Sequence, residues 1–400
     1  MSDYSLNPQW AIDHFDPWDS RISYKNIWDL YRAMRNEGPA VYSDAYGGFW
    51  SITQYKDIKD AARNYKVFSS AGGTTIGKKT QPTSDNSTPP KAPIEFDPPD
   101  HTRFRKALQV PFLPKKMPEF FSDIRASVNQ LLEKIANQHT FDIVNDLAEH
   151  VPQEVVSKIL GFDEETSAKN RAMVLKVVTA DFVSRDAAWL EFQSFLRDEI
   201  HRRQARPGDD FMSALCKDEF DGVKFNESEL VGMLGALALA GHHTSINAIS
   251  SLLRRICIPS VRQAYLNNRE LASQIIEETL RSDPPVHLEA RTTTQEVVIG
   301  DITIPEGSQI ALIYASGNHD ERQFEDPETF DFSRPSNLHL SFGHGIHSCF
   351  GMHLARLEMN IVLEEIMAKF PDFHLIGEPK DSGMTYGHHM GWQSMLAAIE

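Results

Sequence analysis

Apolar residues recur along the chain with two periods. Leu354, Leu357, Ile361 and Leu363 form a helical stripe after Gly351. From about Ser228 to Arg255 the apolar positions run almost all round, which predicts one long buried helix. Asn226 and Glu229 have the spacing of a capping box at its start. Ile27 to Met34 and several stretches between 120 and 220 read as helices. Pro284-Pro285 ends the helix that carries Glu278 and Arg281. At the two-residue period, Ala45 to Thr53 reads as a hairpin through Gly47-Gly48 and Val297 to Pro305 as another. Gln309 to Ile313 reads as a strand. Residues 70–95 are rich in Ser, Thr, Lys, Gly and Pro, and predict a long mobile loop, since helical patterns resume on both sides.

Three polar groupings interrupt these patterns. The long helix carries Ala240-Gly241-His242-His243-Thr244-Ser245 at its middle. Buried polar groups without partners cost about 1–3 kcal/mol each, so Thr244 is expected to bond back to the Ala240 carbonyl one turn earlier. His101 and Arg105 follow the helix-start signal Asp97-Pro98-Pro99-Asp100 and share one helical face, which by itself suggests a solvated basic surface. Glu278 and Arg281 also share a face, and such pairs commonly sit at the surface, worth roughly 0–1 kcal/mol.

Composition narrows the classes. The chain has 400 residues and a formal net charge of −16, which argues against bulk binding to nucleic acid or an anionic membrane. Three cysteines (Cys216, Cys257 and Cys349) make no disulfide framework, which fits a reducing compartment. The start, Met1-Ser2-Asp3-Tyr4, has no basic-then-apolar signal and no run is long enough to span a membrane. A cytoplasmic protein is expected.

The remaining stretch, Ser341-Phe342-Gly343-His344-Gly345-Ile346-His347-Ser348-Cys349-Phe350-Gly351, places a cysteine just before a helix N-terminus. Unpaired N–H groups and the macrodipole favour a thiolate there, and a thiolate is a good ligand for iron. Two other readings stand beside a haem site: a buried structural cysteine, and a zinc site of His344, His347 and Cys349.

This run resembles the cysteine-ligand loop of the cytochrome P450 family, Phe-Gly-x-Gly-x-(His or Arg)-x-Cys-x-Gly. Phe342, Gly343, Gly345, His347, Cys349 and Gly351 fill every fixed position. Ala240-Gly241-x-His243-Thr244-Ser245 resembles the family's oxygen-activation groove, with His243 where an acid is usual. The resemblance runs from about residue 27 to the end. It implies one domain over 1–400, mainly α with a smaller β-rich part, with haem b between the long central helix and the helix after the cysteine loop. The 70–95 loop would lie over the substrate pocket.

The family pattern also implies roles. Cys349 would be the axial ligand of haem iron, with Phe342, Gly351, Ala240 and Gly241 around the cofactor. His101, Arg105, Arg291 and His347 would meet the propionates. Thr244 would deliver protons, with His243 a possible shuttle because histidine titrates near neutrality. Glu278, Arg281 and Arg334 would form a buried structural triad. Asn318-His319-Asp320 resembles the family's Asn-Arg-Asp element except at His319.

Leu237, Leu288 and His389 would face substrate. His388 and His389 are themselves expected to be exposed; if His389 faces the pocket, a substrate with an oxygen acceptor or a carboxylate follows. The implied activity is insertion of one oxygen atom from dioxygen into a small apolar or aromatic molecule by a monomeric enzyme. No flavin or iron–sulfur motif is present, so electrons would come from NAD(P)H through ferredoxin reductase and ferredoxin. Arg103, Lys106, Lys115, Lys116 and Arg356 are expected to form the docking face. Two other classes stay open: a haem-thiolate enzyme using peroxide or no reductase, and a non-haem His/Cys metal-binding or structural protein.

Overall fold

The computed structural model describes residues 6–77, 89–217, 219, 220, 222 and 224–399. The middle of the expected 70–95 loop, residues 78–88, lies outside the described residues.

Helices make up most of the structure, and their apolar faces meet in one cluster. It joins Pro118–Ile135, His150–Leu160, Arg185–Ala205, Glu227–Ala240, His243–Ile256, Ala272–Ser282 and Met352–Lys369. Leu230, Leu234, Leu252, Ile361 and Leu363 within it are fully buried. Each such side chain stabilises the fold by roughly 1.5–3 kcal/mol relative to exposure. Met352–Lys369 packs against both Pro118–Ile135 and His243–Ile256. The cysteine loop is therefore anchored at the start of a core helix. No helix among the described residues is long and apolar enough to cross a membrane.

The β-rich part centres on a five-stranded sheet in the order Ala40–Ser43, Phe49–Ile52, Gln309–Leu312, Glu289–Thr293, Phe68–Ser69. Phe49–Ile52 and Gln309–Leu312 pair parallel, and the other pairs are antiparallel. A second hairpin, Lys380–Thr385 with His389–Ser394, turns at Tyr386-Gly387. Gly387 has φ +67°, and a Cβ there would lie 2.5 Å from Trp18, so both turn geometry and space demand glycine. The hairpin expected at Ala45–Thr53 forms between Ala40–Ser43 and Phe49–Ile52, with a 3-10 turn at Ala45–Gly47 between them. The other hairpin forms as Val297–Ile299 against Ile302–Ile304.

One expectation fails in detail. The long helix is two, Glu227–Ala240 and His243–Ile256, broken at Gly241-His242. Asn226 and Glu229 cap the first reciprocally, as their spacing predicts. At the break the Ala240 carbonyl accepts the Thr244 hydroxyl at 2.7 Å. A side chain competing for a helical carbonyl, beside a glycine, loosens the turn.

Candidate active site

The cysteine loop is shaped by two glycines in the left-handed region, Gly343 at φ +67° and Gly345 at φ +74°. A Cβ on Gly345 would also stand 2.5 Å from the Ala62 carbonyl oxygen. Gly351 is different: its φ is −80°, and a Cβ would meet only the Cys349 Sγ, at an ordinary 3.7 Å. The Cys349 N–H donates to the Phe342 carbonyl at 2.8 Å, closing the loop. Burial pushes the Cys349 thiol above its ordinary pKa; the Gly351 N–H, Arg105, Arg356 and the Met352 N–H favour the thiolate but do not outweigh it. The helix start alone thus does not make a thiolate here.

Cys349 opens onto a cavity of about 290 Å³. Phe342, Gly351, His347, Arg105 and Arg291 line it with the cysteine. Ala240, Gly241, Thr244 and Leu237 form another wall. The structure therefore brings together residues that lie more than 240 positions apart. His344, by contrast, is not on the cavity wall, and no group of three His, Cys, Asp or Glu among the described residues can hold a metal ion. The zinc reading has no site.

Three expected residues stand off the wall. His101 is buried behind His347, with ring centroids 4.5 Å apart, and its Nε2 has no hydrogen-bond partner. His243 turns toward the Lys380–Thr385 hairpin, where its Nε2 lies 3.4 Å from Thr385 Oγ1. Burial drops its pKa to about 4, so it is neutral at neutral pH and is not a shuttle on the cavity wall. Leu288 is fully buried in a separate cluster with Phe15 and Tyr31, and does not face the cavity. The opposite correction applies to His388 and His389: both line the cavity rather than the surface. The hairpin turn carries them inward, and Val286 bridges to His389.

The positive groups fit a dianionic cofactor edge. Arg291 is 2% exposed and donates to the Ala290 carbonyl at 2.6 Å; Arg105 donates to the Ser348 carbonyl at 2.7 Å. Neither forms an ion pair among the described residues. Burial first, then Arg291, His101 and Arg105, push His347 far below its ordinary pKa. A buried guanidinium and a half-buried one, neither in an ion pair among the described residues, are expensive. Haem has two propionates, and Cys349 supplies the matching soft donor on the same wall.

Glu358 completes the wall beneath Thr244 and was not read from the sequence. It is 2% exposed, Ser245 is its hydrogen-bond partner, and Oε2 has none. Burial raises its pKa to about 8. A signal existed: Glu358 lies four residues after Leu354 and three before Ile361, a polar residue on the apolar stripe. Lys91 and Glu289 also line the cavity unforeseen, from a loop and a short strand that carry no periodic cue.

Behind the loop, Glu278 accepts from Arg281, from Arg334 Nε at 3.2 Å, from the Asp331 N–H and from Asn337. The proposed structural triad is a buried network. His319 is buried, stacked on Trp28 with centroids 4.1 Å apart, and its Nε2 lies 3.1 Å from the Ser282 carbonyl. Of the expected docking cations, Arg103 is bound to Glu229, Arg356 to Glu277 and Lys116 to Glu119. That face is mostly neutralised in place.

Comparisons with known proteins agree with this geometry. Residues 257–381 match the family model described as Cytochrome P450. The chain is 31% identical over 362 residues to Cytochrome P450 107B1 of Saccharopolyspora erythraea, covering 88% of this chain and 89% of that protein. It is 32% identical over 369 residues to the cyclomarin C epoxidase CymV of Salinispora arenicola, covering 89% and 92%. The solved structure of a mutant of P450 EryK in complex with erythromycin B superposes with a TM-score of 0.85 at 27% identity, covering 96% of this chain and 97% of that one.

Proposed function

The chain belongs to the cytochrome P450 family, and from that premise we propose how its own residues serve the reaction. It is a haem-thiolate monooxygenase with a small-molecule substrate and redox partners. When bound, haem supplies the iron chemistry that activates dioxygen and inserts one oxygen atom into substrate.

The whole chain acts as one domain of this kind, with haem b as its cofactor. Cys349 Sγ ligates the iron, and the Gly351 and Met352 N–H groups temper the electron density on sulfur. Arg105, Arg291 and His347 hold the propionates, while His101 supports His347 from behind. Thr244 holds a proton at Oγ1 on the opposite wall; it donates to Ala240 here and is one rotation from the cavity. Glu358 holds a further proton below it, reached through Ser245. Apolar side chains such as Leu237 and Val177 keep bulk water out of the cavity.

The substrate is largely apolar, and hydroxylation is the default reaction. The epoxidase among the relatives makes a double bond an equal target. Ferredoxin and its reductase pass electrons from NAD(P)H, and the monomer works in the cytoplasm without a flavin of its own. The observation that carries this reading is the single cavity shared by Cys349, Thr244 and two arginines without counter-ions. The test is turnover under isotopically labelled dioxygen. One labelled oxygen per product supports the reading; label drawn only from water or peroxide contradicts it.

A further inference from the structure

One part of the cavity wall gathers polar side chains contributed by a loop, a strand and a hairpin turn. Lys91, Tyr386, His388, His389 and Glu289 all line it. Lys91 donates to Glu95 Oε1 at 3.2 Å, and its ammonium lies 5.4 Å from the Tyr386 ring centroid. The Nδ1 atoms of His388 and His389 and the Oε2 of Glu289 have no hydrogen-bond partner. A buried polar cluster with unmade hydrogen bonds is costly unless something completes it.

The charges here cancel. Lys91 is opposed by Glu95; burial works against its charge, yet Glu95, Tyr386 and Glu289 together hold its pKa above the ordinary value. Burial keeps His388 neutral by lowering its pKa to about 3, and holds that of His389 well below its ordinary value. Burial also raises Glu289 to about 7, with Arg291 and Lys91 pulling the other way. Once a propionate occupies Arg291, Glu289 favours its neutral, donating form. A carboxylate placed here would meet the Glu95 carboxylate already paired with Lys91, and an ammonium would meet Lys91 itself.

We propose that this part of the cavity recognises a neutral hydroxyl group, so that the substrate is an apolar molecule bearing an alcohol or phenol. A hydroxyl accepts from Lys91 or Tyr386 while it donates to Glu289 or an imidazole nitrogen. A hydrocarbon leaves those groups unmade, and each ion meets a like charge. This rests on the assignment of the cavity as the substrate site.

The experiment compares 4-butylphenylmethanol, 4-butylbenzoate and butylbenzene on the holoenzyme, by calorimetry and by the spin-state shift of the haem spectrum. The alcohol is expected to bind at least tenfold tighter than either other probe. Glu95→Gln removes a negative charge and should shift the ratio at least fivefold toward the benzoate. Lys91→Met should shift it away from the benzoate. Tighter binding of the benzoate or of butylbenzene to the unaltered enzyme overturns the proposal, as does an unchanged ratio in both variants. An intact red-shifted carbon monoxide spectrum in each variant shows the haem-thiolate site itself sound. Failure of the ranking with that spectrum present therefore counts against the hydroxyl alone.

Discussion

The Glu278 carboxylate and the Arg281 guanidinium, three residues apart on one helix, meet through two hydrogen bonds of 2.8 Å with neither side chain exposed. From Arg281 the network runs on: Nη1 donates to the Asn318 carbonyl at 2.8 Å, and Asn318 Nδ2 donates to Ser341 Oγ at 2.7 Å. Ser341 opens the cysteine loop. Glu278→Ala would leave Arg281 and Arg334 buried without their carboxylate, at a cost of about 3–5 kcal/mol. Chemical denaturation checks this, with retained haem as a second readout. A loss below about 1 kcal/mol would mean that the loop is held by something else.

Thr244 lines the cavity at the helix break, with its hydroxyl now donated to the Ala240 carbonyl. Thr244→Ala should waste reducing equivalents as peroxide, several-fold above the unaltered enzyme, while Thr244→Ser stays close to it. The measurement is peroxide formed per NAD(P)H consumed. Unchanged coupling in the alanine variant would assign the proton to another group.

His243 and Glu358 should separate cleanly. His243 points at Thr385 and is neutral, so His243→Asn is expected to change coupling by no more than about twofold. Glu358 holds its proton up to about pH 8. Coupling should therefore fall as pH rises through about 8, and Glu358→Gln should remove that fall. The infrared band of the protonated Glu358 carboxyl should vanish in the glutamine variant. A pH step retained in Glu358→Gln would refute the assignment.

Stability should peak near pH 6.5. Burial lowers His242 and His243 to about 4 and His287 and His388 to about 3, from an ordinary 6.5. The unfolded chain takes up those protons first, so stability falls as pH drops from about 6.5 toward 3. Burial raises Glu289 to about 7 and Glu358 to about 8, from 4.5. There the folded state keeps protons that the unfolded chain has released, so stability falls as pH climbs from 4.5 through 8. Between 4.5 and 6.5 four histidines outnumber two carboxyls, and above 6.5 the carboxyls act alone. Urea midpoints from pH 4 to 9 test this, and a midpoint still climbing between pH 7 and 9 would contradict it.

Much of the site is legible in the sequence because its residues obey local rules. The Cys349 loop needs Gly343 and Gly345 for positive φ, and His101 and Arg105 share a face through helical spacing alone. The triad of Glu278, Arg281 and Arg334 is recognised through its pattern, although pair spacing by itself suggests a surface bridge. What stays hidden is set by tertiary placement. Whether Leu288 and Ala290 or Glu289 and Arg291 face the cavity depends on which side of the strand the core lies. The inward turn of His388 and His389 depends on where the Lys380–Thr385 hairpin docks. The break at Gly241-His242 is a contest between a hydroxyl and a backbone N–H for the Ala240 carbonyl, which apolar periodicity does not register.

The most direct measurement is the absorption spectrum of the dithionite-reduced protein with and without carbon monoxide, for the unaltered chain and for Cys349→Ser. The account predicts a strongly red-shifted Soret band in the first and its loss in the second. A band at the position typical of histidine-ligated haem in the unaltered chain, or an unchanged red-shifted band without Cys349, would contradict it.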